Sequence, residues 1–139
     1  MKQKQEILNI NTRAQGPHEI TRDVERVVLE SGVEKGICVV FVQHTSASLV
    51  IQENADPSAR RDVQEFLSRI APEGDSWHTH TSEGPDDMAS HLRCVLTNTS
   101  ETIPVAGGRP VLGTWQGIYL WEHRRRSHSR RVVVHVMGD

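Results

Sequence analysis

Eight histidines run through the chain at His18, His44, His78, His80, His91, His123, His128 and His135, embedded in patterned sequence rather than gathered in a tag. Their neighbours decide what each could do. His44 follows the apolar run ICVVFV and is trailed by Thr45, Ser46 and Ser48, then by Glu53, Asn54 and Asp56. An imidazole held at the end of a rigid strand, with carboxylate and amide groups close behind, suits acid–base work or ligand binding. A polar turn leading into a helix cap is the plainer alternative. A second cluster, HTHTSEGPDD followed by His91, offers two chemistries. Imidazoles favour a transition ion such as Zn²⁺, whereas Glu83, Asp86 and Asp87 offer the oxygen donors that Mg²⁺ prefers. His78 and His80 share one side only if the backbone there is extended. The spacing matches no zinc signature, and a solvated loop is the competing reading.

Two further segments carry possible chemistry. Arg124, Arg125, Arg126, Arg130 and Arg131 crowd one short stretch with His123 and His128. Such a run is usually a solvated hairpin tip; through bidentate guanidinium bonds it could instead be a site for phosphate or diphosphate, or a nucleic-acid patch. In GTWQG, Gly113 and Gly117 bracket Trp115 and Gln116, which implies close approach of a ligand or of another backbone. There is no nucleophile elbow, P-loop, dinucleotide-binding glycine pattern or paired CxxC.

These residues need a scaffold. Residues 4–10 alternate weakly, as an edge strand does. Ile20, Val24, Val27 and Val28 have the spacing of one helical face, with Pro17 suited to a first turn and Gly32 to a stop. The run 37–42 reads as a strand buried on both faces, and 47–51 as a second strand. Asp56 and Pro57 open a helix whose apolar face is Val63, Phe66, Leu67 and Ile70, ended by Pro72. Residues 77–87 read as a loop, and Met88, Leu92, Val95 and Leu96 as a short helix. Strands are predicted over 102–105, 110–112, 115–121 and 132–137. The expectation is an α+β fold: one domain over residues 1–139, with a mostly antiparallel, β-sandwich-like core and two to three helices.

Composition narrows the classes. With 139 residues, 36% hydrophobic and 24% charged, the chain suits one globular domain. Sixteen Lys and Arg against 18 Asp and Glu give a net charge of −2, which argues against a nucleic-acid partner. No apolar run reaches the ~18–20 residues of a membrane span, and the first ten residues lack the apolar stretch of a secretion signal. Cys38 and Cys94 are far apart in apolar surroundings, so they read as buried thiols in a reducing compartment. The cytoplasm is the expected location.

Read together, several motifs closely resemble the YjbQ family, whose members have been called secondary thiamine-phosphate synthases. The carriers are HTSASLVIQENADPSARRDVQEFL (His44–Leu67), HTSEGPDDMASHLR (His80–Arg93), ETIPVAGGR (Glu101–Arg109), GTWQGIYLWEHR (Gly113–Arg124) and the closing RRVVVHVMG. The resemblance implies a homotrimer of α+β domains acting on a phosphorylated small molecule. The reaction implied joins an aminopyrimidine methyl diphosphate to a thiazole phosphate and releases pyrophosphate. It implies a divalent metal, Zn²⁺ or Mg²⁺, held by His44, His80 and His91. His44, Glu53, Asp87 and Gln116 would serve as catalytic groups, with Asn54 and Asp56 nearby and Arg109 and Arg131 on phosphate. His18, His78, His128 and His135 lie outside the shared pattern, and His123 follows a variable motif position. Two rivals use the same residues: a metal-dependent hydrolase of a phosphorylated metabolite, and a non-catalytic metal-binding oligomer.

Overall fold

The computed structural model describes residues 1–139. Three α-helices and eight strands follow one another as β1 (Lys2–Asn11), β2 (Gly16–Glu19), α1 (Thr21–Ser31), β3 (Lys35–Val42), β4 (Ala47–Glu53), α2 (Pro57–Ile70), α3 (Pro85–Leu96), β5 (Ser100–Ala106), β6 (Arg109–Pro110), β7 (Gln116–Glu122) and β8 (Ser129–Gly138). Every strand pairing is antiparallel. One sheet has the order β1-β8-β3-β5-β6 and the other β2-β7-β4. The fold is α+β, as the order of elements predicts.

Alternation sorts the side chains between layers. Val40, Val42, Val132, Val134, Val136 and Ile103 point from the five-stranded sheet into the main core. Val24, Val27 and Val28 of α1 meet them there, with Leu49, Ile118 and Leu120 from the smaller sheet. The opposite face of that smaller sheet presents Tyr119 and Trp121 to Leu67 of α2. The indole of Trp121 donates to Gln64 Oε1 at 2.7 Å, so the one polar atom of a fully buried side chain is satisfied. Cys38 and Cys94 are free thiols, and burial pushes them up to about 11 and about 12.

Local signals explain the helix ends. Asp56 accepts from the Ser58 amide at 2.9 Å and Pro57 starts α2. Gly32 ends α1 in the left-handed region at φ 71°. A different kind of glycine joins two strands. Gly36 lies opposite Gly138, and a Cβ on Gly36 would stand 2.0 Å from the Met137 carbonyl oxygen. Only a residue without a side chain admits that approach.

Four expectations need correction. Pro17 lies in β2, paired with Trp121 at a sheet edge, where its missing N–H costs nothing, rather than in α1. β3 is buried on one face only: Ile37 and Phe41 project from the outer face, 40% and 44% exposed. In α2 only Leu67 is buried, while Phe66 and Ile70 are exposed. α3 begins at Pro85, inside the expected loop, and its buried residues are Asp86, Asp87, Ala89, Ser90 and Arg93. Val95 and Leu96, which gave that helix its apolar signature, face outward.

Candidate metal centre

The polar face of α3 makes the site. Asp87 and His91 stand one turn apart, so both point to the same side of the helix. His80, in the segment before α3, folds back onto them. His80 Nε2 lies 2.8 Å and His91 Nε2 3.2 Å from the same atom, Asp87 Oδ2. One ligand atom from each of the three residues fits within 4.8 Å of the others. Asp87 is buried, His91 half-buried and His80 half-exposed, so the cluster has a closed floor and an open side.

Hydrogen bonds behind the cluster fix its geometry. His91 Nδ1 donates to the Thr45 carbonyl at 2.7 Å. A carbonyl only accepts, so Nδ1 carries a proton and the neutral ring turns its Nε2 lone pair toward the carboxylate. Two acceptors facing each other at 3.2 Å repel unless a cation, a proton or a metal ion, lies between them. A ring nitrogen tied to a backbone carbonyl while the other faces outward is the usual support of a metal-binding histidine. Asp87 Oδ1 in turn accepts from Arg124 Nη1 at 3.1 Å. The donor set, two imidazoles and one carboxylate, fits a transition ion. It fits Mg²⁺ poorly, because Asp86 Oδ2 is already taken by Arg124 Nε and the Arg125 amide, each at 3.0 Å. Those bonds outweigh burial and hold the Asp86 carboxyl below its usual range.

His44 stands beside this centre without joining it. Its Nε2 accepts from the Arg131 amide at 2.9 Å, and its Nδ1 faces Arg130 Nη1 at 3.5 Å. Burial, followed by the Arg130 charge, lowers its pKa. The third position expected for His44 is held by Asp87. His44 and His91 instead share the wall of a surface cavity with Thr45, Cys94, Val95 and Thr99.

The arginine run divides by role. Arg124 is buried against Asp86 and Asp87, and Arg130 is buried against Glu122, which also accepts from Thr12. Arg125 pairs with Glu73 at the surface. Arg131 is exposed and makes no ion pair; its main-chain amide meets His44, and its charge is one of those acting on that ring. Glu53, Asn54, Gln116 and Arg109 lie elsewhere. Glu53 pairs in register with Gln116 at the far end of β4, about 20 Å from Ala47 at ~3.3 Å per residue. Asn54, Gln116 and Arg109 line a separate polar cavity there with Thr21 and Glu25. Asp56 is spent on capping α2. His123, which follows a variable motif position, is fully buried and bonded to Ser48.

A family model described as UPF0047 protein YjbQ-like matches residues 6–139. The chain belongs to the YjbQ family. It is 51% identical to the UPF0047 protein sll1880 of Synechocystis over 99% of this chain and 94% of that protein. It is 38% identical to YjbQ of Escherichia coli O157:H7 over 97% and 98% of the two chains. A solved YbjQ-like protein of unknown function from Sulfolobus solfataricus superposes with a TM-score of 0.86 at 26% identity, covering 99% of each chain. A YjbQ-family structure from Clostridium acetobutylicum gives 0.82 at 36% identity, over 96% of this chain and 99% of that one. The fold of the YjbQ family is thus the fold described above. No helix is long and apolar enough to cross a membrane.

Proposed function

We propose that the chain is a metal-assisted enzyme for a phosphorylated small molecule, its divalent ion held by His80, Asp87 and His91. The observation that carries this reading is the meeting of two imidazole nitrogens on one buried carboxylate oxygen, with the second nitrogen of His91 tied to a backbone carbonyl. A bound transition ion would supply Lewis acidity toward a phosphate oxygen and a lowered pKa for bound water. The protein's own part is orientation. Thr45 fixes the His91 ring, Arg124 fixes Asp87, and the exposed Arg131 guanidinium would take a phosphate at the rim beside His44. The reaction suggested by the family resemblance is displacement of pyrophosphate from an aminopyrimidine methyl diphosphate by a thiazole phosphate nitrogen. Glu53, Gln116 and Arg109 would reach such a centre only from a neighbouring copy, as in the proposed homotrimer. The exposed apolar side chains Ile7, Ile37 and Phe41 favour assembly of that kind.

A second reading is hydrolysis of a phosphorylated metabolite. The donor set favours it, since two imidazoles and a carboxylate leave coordination positions open for water. Elemental mass spectrometry of tag-free protein tests the shared premise. Wild type should carry close to one transition ion per chain, and the His80→Ala, His91→Ala double variant should carry none. Equal metal content in the two proteins overturns the assignment. Assays on the loaded protein then separate the readings: phosphate release without a thiazole partner supports hydrolysis, and pyrophosphate release only with that partner supports transfer.

A further inference from the structure

Behind the candidate metal centre lies a second polar system, formed by His123, Ser48, Thr97 and Arg93. His123 Nε2 is 2.8 Å from Ser48 Oγ, Ser48 Oγ is 2.6 Å from Thr97 Oγ1, and Thr97 Oγ1 is 2.8 Å from the Arg93 carbonyl. Counting hydrogens fixes the direction of the whole series. The carbonyl only accepts, so the single Thr97 hydroxyl hydrogen goes to it. Ser48 must then donate to Thr97, which leaves its oxygen to accept from His123. His123 is therefore protonated at Nε2, and its Nδ1 is a bare lone pair.

That Nδ1 is buried and has no protein partner. The same is true of Arg93 Nη1, although Arg93 Nε and Nη2 both donate to the Ala71 carbonyl, at 3.2 and 3.0 Å. Both residues are more than nine-tenths buried, at 0% and 2% exposure. One unpaired atom is an acceptor and the other a donor, so their needs are complementary. The series that starts at the His123 ring ends on the Arg93 carbonyl, so the two residues lie at its two ends. A buried polar pair of this kind is ordinarily satisfied by an ordered water.

The series also lies along the helix that carries the metal ligands. His91 donates to the Thr45 carbonyl, Cys94 to the Ala47 carbonyl at 3.4 Å, and Thr97 meets Ser48. Residues 91, 94 and 97 recur at one helical face, so a single side of α3 is fastened to the start of β4.

We propose that one internal water bridges Arg93 Nη1 and His123 Nδ1, and that the chain His123–Ser48–Thr97 sets α3 on β4 and so positions His91 and Asp87. The tautomer stands on hydrogen counting and the water on two buried unpaired atoms of opposite need; the positioning role rests on the metal reading above. Arg93, Thr97, Ser48 and His123 are positioning residues and touch no substrate.

Three measurements test this on the full chain. Nitrogen-15 NMR of the metal-free protein should find His123 as the Nε2–H tautomer at pH 7; the Nδ1–H tautomer overturns the chain direction. A crystal structure should show one water within hydrogen-bonding distance of Arg93 Nη1 and His123 Nδ1; a dry gap, or a direct bond between the two, overturns the bridge. Zinc titration of Thr97→Val should give a raised dissociation constant, by less than the ~10- to 100-fold that follows loss of a ligand's own hydrogen-bond partner. Thr97→Ser, which keeps the hydroxyl, should restore it, and circular dichroism should show both variants folded. An unchanged zinc affinity in folded Thr97→Val overturns the positioning role. If wild type binds no zinc, the metal reading and the positioning role fall together, while NMR and the crystal still decide the tautomer and the water.

Discussion

Burial of His123 makes acid stability the most direct probe of the interior behind α3. Desolvation, helped by the Arg93 charge, pulls the His123 imidazole down to about 3 in the folded chain. An unfolded histidine titrates near ~6.5. Above pH 6.5 the ring is neutral in both states and contributes no pH dependence. Below it the unfolded chain binds a proton that the folded chain refuses, so stability falls as pH falls, until about pH 3. Each pH unit in that window costs about 1.4 kcal/mol, or roughly 2.7 kcal/mol between pH 7.5 and pH 4.5. That is a large share of the ~5–15 kcal/mol that holds a typical domain. Glu122 and Asp86 act in the same direction but at lower pH. Their folded pKa values are lowered, Glu122 by bonds to Arg130 and Thr12 acting against burial and Asp86 by bonds to Arg124 and the Arg125 amide. The stability they supply is kept above the unfolded carboxylate range and lost as pH falls from that range to the folded values. Measurements stopped at pH 4.5 hold back the carboxylates, and comparison with a variant lacking His123 cancels the contribution of His44, whose pKa is also lowered. Urea unfolding followed by far-UV circular dichroism, at pH 7.5, 6.5, 5.5 and 4.5, should be run on wild type and on His123→Gln, which keeps an N–H for Ser48. Wild type should lose roughly 2.7 kcal/mol more than the variant across the series. Parallel losses in the two proteins would refute the argument that this ring stays neutral.

Other perturbations follow from single contacts. Glu122→Gln leaves Arg130 buried without its counter-charge, and should cost about 3–5 kcal/mol, read as a lower urea midpoint at pH 7.5. Gly36→Ala drives a Cβ to 2.0 Å from the Met137 carbonyl oxygen, a backbone atom that cannot swing away; little soluble protein should accumulate, and normal thermal stability in this variant would contradict the strand pairing. Asp56→Ala removes the α2 cap and should cost about 0.5–2 kcal/mol by chemical denaturation, without altering metal content.

The fold was legible wherever a local rule agreed with the tertiary arrangement. Val24, Val27 and Val28 mark one face of α1, and that face is the buried one. Asp56–Pro57 opens α2 through the bond that the sequence suggests. β2 gave no signal, because Gly16–Glu19 is four residues long, contains a proline and is held by its pairing with β7. β3 misled for a different reason. A continuous apolar run normally means burial on both faces, yet here Ile37, Val39 and Phe41 form the bare outer side of a sheet with no helix against it.

The site shows the same logic more sharply. Asp87 and His91 could be paired from their four-residue spacing, but only once a helix was placed under both, and hydrophobic periodicity placed that helix too late. α3 buries Asp86, Asp87, Ser90 and Arg93 and exposes Val95 and Leu96, the reverse of an ordinary surface helix. Each buried charge is answered by a distant residue: Asp86 and Asp87 by Arg124, 38 and 37 positions away, and Arg93 by the Ala71 carbonyl, 22 positions away. No local pattern encodes such partners. The arginine run was ambiguous for that reason, since neither a solvated tip nor a phosphate site anticipates that two of its members neutralise buried carboxylates. Nor does proximity in sequence mean proximity in space: Glu53 follows His44 by nine positions, but β4, which starts at Ala47, carries Glu53 to its far end. Local rules fail here together, over one helix, and that helix supplies two of the three candidate metal ligands. A polar face kept inside at the expense of an apolar one is the mark of a segment shaped by what it holds rather than by folding alone.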